Sequence, residues 1–423
     1  MARSSSLTLW RAMIGPPPEH EPEPGWHQSL SQGAPGIMLL HIARARAATA
    51  PWTTVHSWAA ASLRNPVSAH PGTGLFYGVT AVAFALSCAG QPGYDPPLND
   101  LDDQITKLIH RRLNDAHERI DRAEPPALAE YDLISGLTGL GRYLLHRHDL
   151  SDNGSNTSGD QELLRAVLDY LVRLTRPQRP RILDVVEVPG WWSGHDQADC
   201  PSPDLPQGHA NLGLAHGITG PLALLAITMR RGIIVDGQAE AIERICRWLD
   251  TWKQGHGIAA WWPERITAEQ HRTGHCDQTA PARPSWCYGT PGLARAQQLA
   301  ALALDDPQRQ QAAENALLGS ITDPRQLQRL TDPSLCHGWA GLLLTTTRAA
   351  ADARNPTLTE QLPALHDQFS RHPAPPPATP GLLLGAAGIE LVRNHPLSDV
   401  AASTTTDAAS NPPAWDACLL THG

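Results

Sequence analysis

Lysine occurs only twice in this 423-residue chain, at Lys107 and Lys253. Arginine supplies the rest of the fixed positive charge, acidic residues outnumber basic ones by 42 to 33, and the formal net charge is -9. A surface that follows nucleic-acid phosphates needs clustered positive charge, so no nucleic-acid partner is expected. Long apolar runs are missing too, and none approaches the roughly 20 residues of a membrane-spanning helix. The stretch Met1-Ala2-Arg3-Ser4-Ser5-Ser6-Leu7-Thr8-Leu9-Trp10-Arg11 has no sustained apolar region and runs into Pro16, Pro17 and Pro18, which argues against a signal peptide. The seven cysteines are odd in number and lack a dense short-range framework. Free or metal-bound thiols in a reducing compartment, hence a cytoplasmic protein, are the expectation. Also absent are a G-x-S-x-G nucleophile elbow, a Walker A loop and a dinucleotide fingerprint after a strand.

What the chain has instead is repetition. Gly33-Ala34-Pro35-Gly36 precedes Ile37-Met38-Leu39-Leu40, and Gly136-Leu137-Thr138-Gly139 precedes Leu140 and Tyr143-Leu144-Leu145. Gly217-Ile218-Thr219-Gly220, Gly289-Thr290-Pro291-Gly292, Gly338-Trp339-Ala340-Gly341 and Gly385-Ala386-Ala387-Gly388 each open a similar apolar run. A weaker seventh copy starts at Tyr77-Gly78-Val79-Thr80, where Ala81 replaces the second glycine. Copies lie about 45 to 80 residues apart, which leaves room for one further helix in each. Those helices show as apolar residues at helical spacing: Leu98, Leu101, Ile105, Leu108 and Ile109; Leu163 to Val172; Ile242, Ile245, Leu249 and Trp252.

Seven alternations of a charge-poor and an amphipathic helix predict an all-α protein. The expected architecture is an α/α toroid, a double ring of about seven inner and seven outer helices with minor β content. Residues 29–400 form the toroid domain in this reading, 1–28 an irregular extension and 401–423 a tail, with Ser403 to Pro413 loosely ordered. Ser151 to Gly159 and Pro373 to Pro377 read as surface connections. Arg181 to Val188 reads as a short strand. Glycines at the same helix terminus in every repeat would gather at one end of the ring.

That end collects the chemistry. Cys287 and Cys336 each stand two residues before their Gly-x-x-Gly step, and His337 follows Cys336. The cysteines are about 50 residues apart in sequence, so the fold rather than a spacing motif must assemble them. Two thiols and an imidazole suit zinc better than magnesium or calcium, with a fourth position left over. A single cysteine is otherwise a small buried hydrophobe. His275 and Cys276 form a rival pair in a polar stretch, and Cys276 would be the candidate fourth ligand of a closed, structural site. His216, directly before Gly217, is a further metal ligand, a core residue or an acid/base. Asp132, four residues before Gly136, either caps the helix or orients His216. Arg283 is a surface charge or a cation that stabilises an oxyanion. A glycoside hydrolase on the same ring would need two acidic residues at the rim and leaves the cysteines unexplained.

Gly213-Leu214-Ala215-His216-Gly217-Ile218-Thr219-Gly220, Trp286-Cys287-Tyr288-Gly289-Thr290-Pro291-Gly292 and Cys336-His337-Gly338-Trp339-Ala340-Gly341 together resemble the lanthionine synthetase C family. The resemblance runs from about Gln32 to Glu390. It implies a double ring of helices, one Zn²⁺ on Cys287, Cys336 and His337, an acid/base at His216 with Asp132 as its partner, and further active-site roles for Arg283 and Tyr288. The implied activity is closure of thioether rings, by adding peptide cysteine thiols to dehydroalanine or dehydrobutyrine in a dehydrated precursor peptide. A separate dehydratase, an exporter and a place beside a membrane-associated biosynthetic complex are partners and a setting that the family allows. The alternative is a zinc protein of this type that binds glutathione or a partner protein without closing rings.

Overall fold

The apolar runs after each glycine step and the amphipathic runs between them are all helices. In chain order the long ones are α1 (Ala34–Arg46), α2 (Trp52–Ser62), α3 (Val79–Ala89), α4 (Asp95–Asp121), α5 (Leu137–Leu150), α6 (Ser158–Leu174) and α7 (Thr219–Arg230). They continue with α8 (Gln238–Trp252), α9 (Thr290–Leu304), α10 (Pro307–Thr322), α11 (Trp339–Asp352), α12 (Thr357–Arg371) and α13 (Ala386–Arg393). This computed structural model describes residues 16–150, 158–179, 187–196, 200, 204–371, 380–394 and 414–423. The sequence expectations at residues 151–157, 181–186, 373–377 and 403–413 therefore lie outside the described residues. None of the described helices is long and apolar enough to cross a membrane.

The odd-numbered helices form the inner ring. Each packs on the next, from α1 through α3, α5, α7, α9 and α11 to α13, and α13 returns to α1. The even-numbered helices lie outside, each against the inner helix before it. Burial follows from this layering. All of α3 is buried, whereas α4 buries Leu98, Leu101, Ile105, Leu108 and Ile109 and exposes Asp103, Lys107 and Arg111. Strand content is small: β1 (His209–Asn211) pairs antiparallel with β2 (Arg265–Thr267), with Ala210 opposite Ile266.

Backbone hydrogen bonds close the inner ring at its N-terminal rim. The residue two before each first glycine offers its carbonyl to the preceding repeat, and that carbonyl accepts an amide hydrogen bond all the way round. Leu30 N donates to Phe76 O (3.0 Å), Phe76 N to Ile134 O (3.3 Å), Leu133 N to Ala215 O (3.1 Å) and Leu214 N to Cys287 O (2.8 Å). Cys287 N donates to Cys336 O (3.3 Å), Cys336 N to Leu383 O (2.8 Å) and Leu383 N to Ser31 O (3.0 Å), which completes the circuit. Every repeat thus presents the same residue positions to the same rim.

The second glycine of each step is required by contact. A Cβ there would meet a carbonyl oxygen of the lead-in loop: Trp286 O at 2.0 Å from Gly292, Leu335 O at 2.0 Å from Gly341 and Leu382 O at 2.0 Å from Gly388. The second repeat escapes because its lead-in differs. Gly78 has φ +83°, a region that favours glycine, while Gly289, Gly338 and Gly385 are extended. Ala81 then fits, fully buried, where the other repeats need glycine.

Two flanking segments pack onto the ring. Trp26, His27 and Gln28 are buried, and residues 416–420, at the end of the stretch read from sequence as a tail, are buried too.

Gly388→Ala should destabilise the fold by about 1–3 kcal/mol, as overpacked sites do. Gly93→Ala, whose added methyl would meet nothing within 4 Å, should stay within about 0.5 kcal/mol of the parent. Urea denaturation of both variants measures the difference.

Candidate metal centre and its neighbours

Cys287 and Cys336 occupy equivalent positions in adjacent repeats, and the Cys287 amide donates to the Cys336 carbonyl at 3.3 Å. The shared register puts both sulfurs on the same rim with the imidazole of His337 beside them. One ligand atom from each of Cys287, Cys336 and His337 lies within 4.8 Å of the other two. A tetrahedral zinc site, with bonds of about 2.0 to 2.3 Å, sets neighbouring donors roughly 3.5 Å apart, so three residues placed this way fit such an ion with small adjustments. Among the described residues no other group of three His, Cys, Asp or Glu side chains gathers in this way. The rival pair does not join it. Cys276 donates to the Gln278 carbonyl at 3.6 Å, and His275 is exposed beside Asp277.

The Cys287 thiol is pulled well below its usual range, first by a hydrogen bond from Cys336 and then, against the cost of burial, by His337 and Ser285. Cys336 is pushed up by that thiolate neighbour and by burial. A pair in which only one member ionises readily is one that a cation would complete. The loop that carries Cys287 is fixed by Ser285, whose hydroxyl accepts from Tyr288 N (3.3 Å) and Gly289 N (3.0 Å).

Beside this group lies a histidine–carboxylate pair. His216 Nδ1 is 2.6 Å from Asp132 Oδ2, with 20% of the histidine side chain and 2% of the aspartate side chain exposed. Of the two readings left open for Asp132, the structure shows the contact with His216; it does not cap the helix, because its other oxygen bonds amides that lie before α5 begins. Its Oδ1 accepts from Ser135 N (2.7 Å) and Gly136 N (2.8 Å), securing the lead-in to α5, while Oδ2 holds the imidazole. The Tyr288 ring stacks on His216, 6.3 Å between centroids and 23° between planes. Arg283 is exposed, and its charge favours the thiolate form of Cys336.

Two neighbours escaped the sequence reading. Asn211 in β1 donates to Tyr288 Oη at 3.1 Å and accepts from Gly213 N at 3.0 Å. Asp332 lies 3.6 Å from His337 Nε2, and carboxylates of this kind commonly orient a ligating imidazole. Both stand six residues before the first glycine of their repeat, as does Arg283. That shared offset was the available signal.

The family model described as "Lanthionine synthetase C-like protein" matches residues 25–398. The nisin biosynthesis protein NisC of Lactococcus lactis subsp. lactis is 26% identical over 266 residues, which are 62% of this chain and 59% of that protein. The aligned region thus spans less than two thirds of that relative. The solved structure of nisin cyclase superposes with a TM-score of 0.73 at 19% identity, covering 99% of this chain and 96% of the other.

Purified protein should bind a thiolate-preferring divalent metal at one per chain by elemental analysis. Cys336→Ser should lose it and Cys276→Ser should keep it. Metal affinity should fall as pH is lowered, because protons compete for two sulfurs and a ring nitrogen.

Proposed function

We propose, starting from the fact that the chain belongs to the lanthionine synthetase C-like family, that it is a zinc-dependent cyclase that forms lanthionine or methyllanthionine rings in a dehydrated peptide. The observation that carries this reading is the placement of a Cys/Cys/His group and a His–Asp pair on one rim of the ring. Zinc held by Cys287, Cys336 and His337 would supply a Lewis acid that lowers the pKa of an incoming thiol from roughly 8.5 and holds the thiolate in place.

The protein residues then divide the proton work. Asp132 occupies Nδ1 of His216, so the neutral imidazole has Nε2 as its proton acceptor. Asp132 is nearly fully buried and tied to two amides, which keeps the ring in one orientation. His216 takes the proton of the peptide thiol. The sulfur adds to the β-carbon of the dehydroamino acid, the electron pair of the double bond moves to the neighbouring amide as an enolate, and His216 returns the proton to the α-carbon. The sum is addition of S–H across C=C, with no oxidant or reductant consumed. Tyr288 packs against the imidazole and limits its tilt, with its own hydroxyl held by Asn211. Arg283 at the rim contributes positive charge against the enolate oxygen.

The substrate in this reading is a precursor peptide that a separate dehydratase has already treated. The zinc-loaded protein, incubated with a dehydrated cysteine-bearing peptide, should remove alkylatable thiols faster than an enzyme-free control. His216→Asn should keep its zinc and slow ring closure by about 10²- to 10⁴-fold. Equal thiol loss with and without the protein, read by iodoacetamide labelling and mass spectrometry, would overturn the proposal. Glutathione binding without ring closure would point to the non-cyclase alternative.

A further inference from the structure

The far end of the inner ring is filled by the chain itself. Residues 414–423 lie outside the 25–398 span that the family model matches. Their short 3₁₀ turn, Trp415–Leu419, is gripped by side chains that point inward from the inner helices. Arg142 of α5 donates to the Ala417 carbonyl at 2.7 Å, and Arg295 of α9 donates to the Thr421 carbonyl at 2.9 Å. Arg348 of α11 makes a two-pronged pair with Asp416 at 2.7 and 3.0 Å, and Asp416 has no exposed surface. Gly423 packs between Ile227 of α7 and Leu299 of α9. A segment held by α5, α7, α9 and α11 together sits on the axis that those helices surround.

One more bond joins this segment to the metal centre. The indole Nε1 of Trp286 donates to the Leu419 carbonyl at 2.9 Å. Trp286 is 1% exposed and is the residue directly before Cys287. Its own carbonyl is pressed against Gly292 in the first turn of α9. The loop that carries Cys287 is therefore fixed from above by Ser285 and from below by the tryptophan that hangs on Leu419.

We propose that residues 414–423 form an axial plug that positions Cys287 for its cation, through the Leu419 carbonyl and the Trp286 indole. The inference rests on the metal reading given above. Trp286 is a positioning residue here: it touches neither the ion nor a substrate, and acts through the backbone of its neighbour.

Cobalt titration of the full-length chain tests this, because Co²⁺ bound to two thiolates and an imidazole has absorption bands that report the geometry of the site. Trp286→Phe keeps an aromatic side chain but removes the N–H donor, together with part of the buried indole volume. It should raise the dissociation constant for Co²⁺ about tenfold, within the range seen when an outer partner of a metal ligand is lost, and shift the d–d bands at saturating metal. Asp416→Asn, which loosens the plug at its other end, should change affinity and bands in the same direction. A purely structural role would lower the melting temperature and leave the bands of the saturated site where they were. Wild-type affinity and bands in Trp286→Phe would overturn the inference. Failure of the parent protein to bind Co²⁺ at all would instead overturn the metal reading, so the two failures are distinguishable.

Discussion

The closed circuit of backbone hydrogen bonds at the N-terminal rim is the constraint on which the rest depends. The lead-in loops of seven inner helices are packed together there, with amides and carbonyls that water reaches poorly, and each needs a partner. The circuit supplies one at an identical position in every repeat, from Leu30–Phe76 round to Leu383–Ser31. Open repeat arrays contact only their neighbours and need capped ends. Here α13 meets α1, so no end is left. The register of each repeat is thereby tied to the next, and a side chain's distance from its glycine decides where on the rim it stands.

That rule explains how a site arises from residues so far apart in sequence. Two positions before the glycine lies the ring of bonded carbonyls, and Cys287 and Cys336 hold it in adjacent repeats. One position before lie His216, Tyr288 and His337. Four positions before lie Asp132, Ser285 and Ser334, each of which accepts an amide of its own lead-in loop. Asp132 differs from the two serines in having a second oxygen. With Oδ1 engaged as a serine hydroxyl would be, Oδ2 remains for the imidazole of the next repeat. One carboxylate thus serves local folding and the site together.

Much of this was legible in the sequence, and the reasons are specific. The glycine steps are visible because a carbonyl presses on the helix where a Cβ would lie, and the one exception, Ala81, goes with the altered backbone at Gly78. The Cys/Cys/His group is visible because thiols are rare and share an offset. Asn211 and Asp332 were missed because a polar residue in a loop is the ordinary case, and only the repeat frame makes their position meaningful. The grip of Arg142, Arg295 and Arg348 on residues 416–421 could not be read at all. Pairing between side chains and a segment as much as 275 residues away, as for Arg142 and Ala417, exists only once the ring has closed.

The two ends of the ring have opposite electrical character, and the side chains follow it. A helix carries partial positive charge at its N-terminus and partial negative charge at its C-terminus. None of the seven inner helices has an acidic residue in its first turn, whereas α4, α6, α8 and α12 of the outer ring all do. The positive ends therefore face the rim without a first-turn carboxylate of their own, and the negative charge there comes from the lead-in loops, at Asp132 and Asp332. The opposite end gathers cations: Arg44 and Arg46, Arg147, Arg230 and Arg393 lie in the last turns of inner helices. Within the axis, arginines are matched by carboxylates, buried Arg295 with Asp352 at 2.6 Å and partly buried Arg348 with Asp416 at 2.7 Å. For Arg348 the carboxylate, Asp416, comes from the plug itself. The plug thus contributes a counter-charge to an inner helix, and an ion pair ties it to the ring alongside the bonds to its backbone carbonyls.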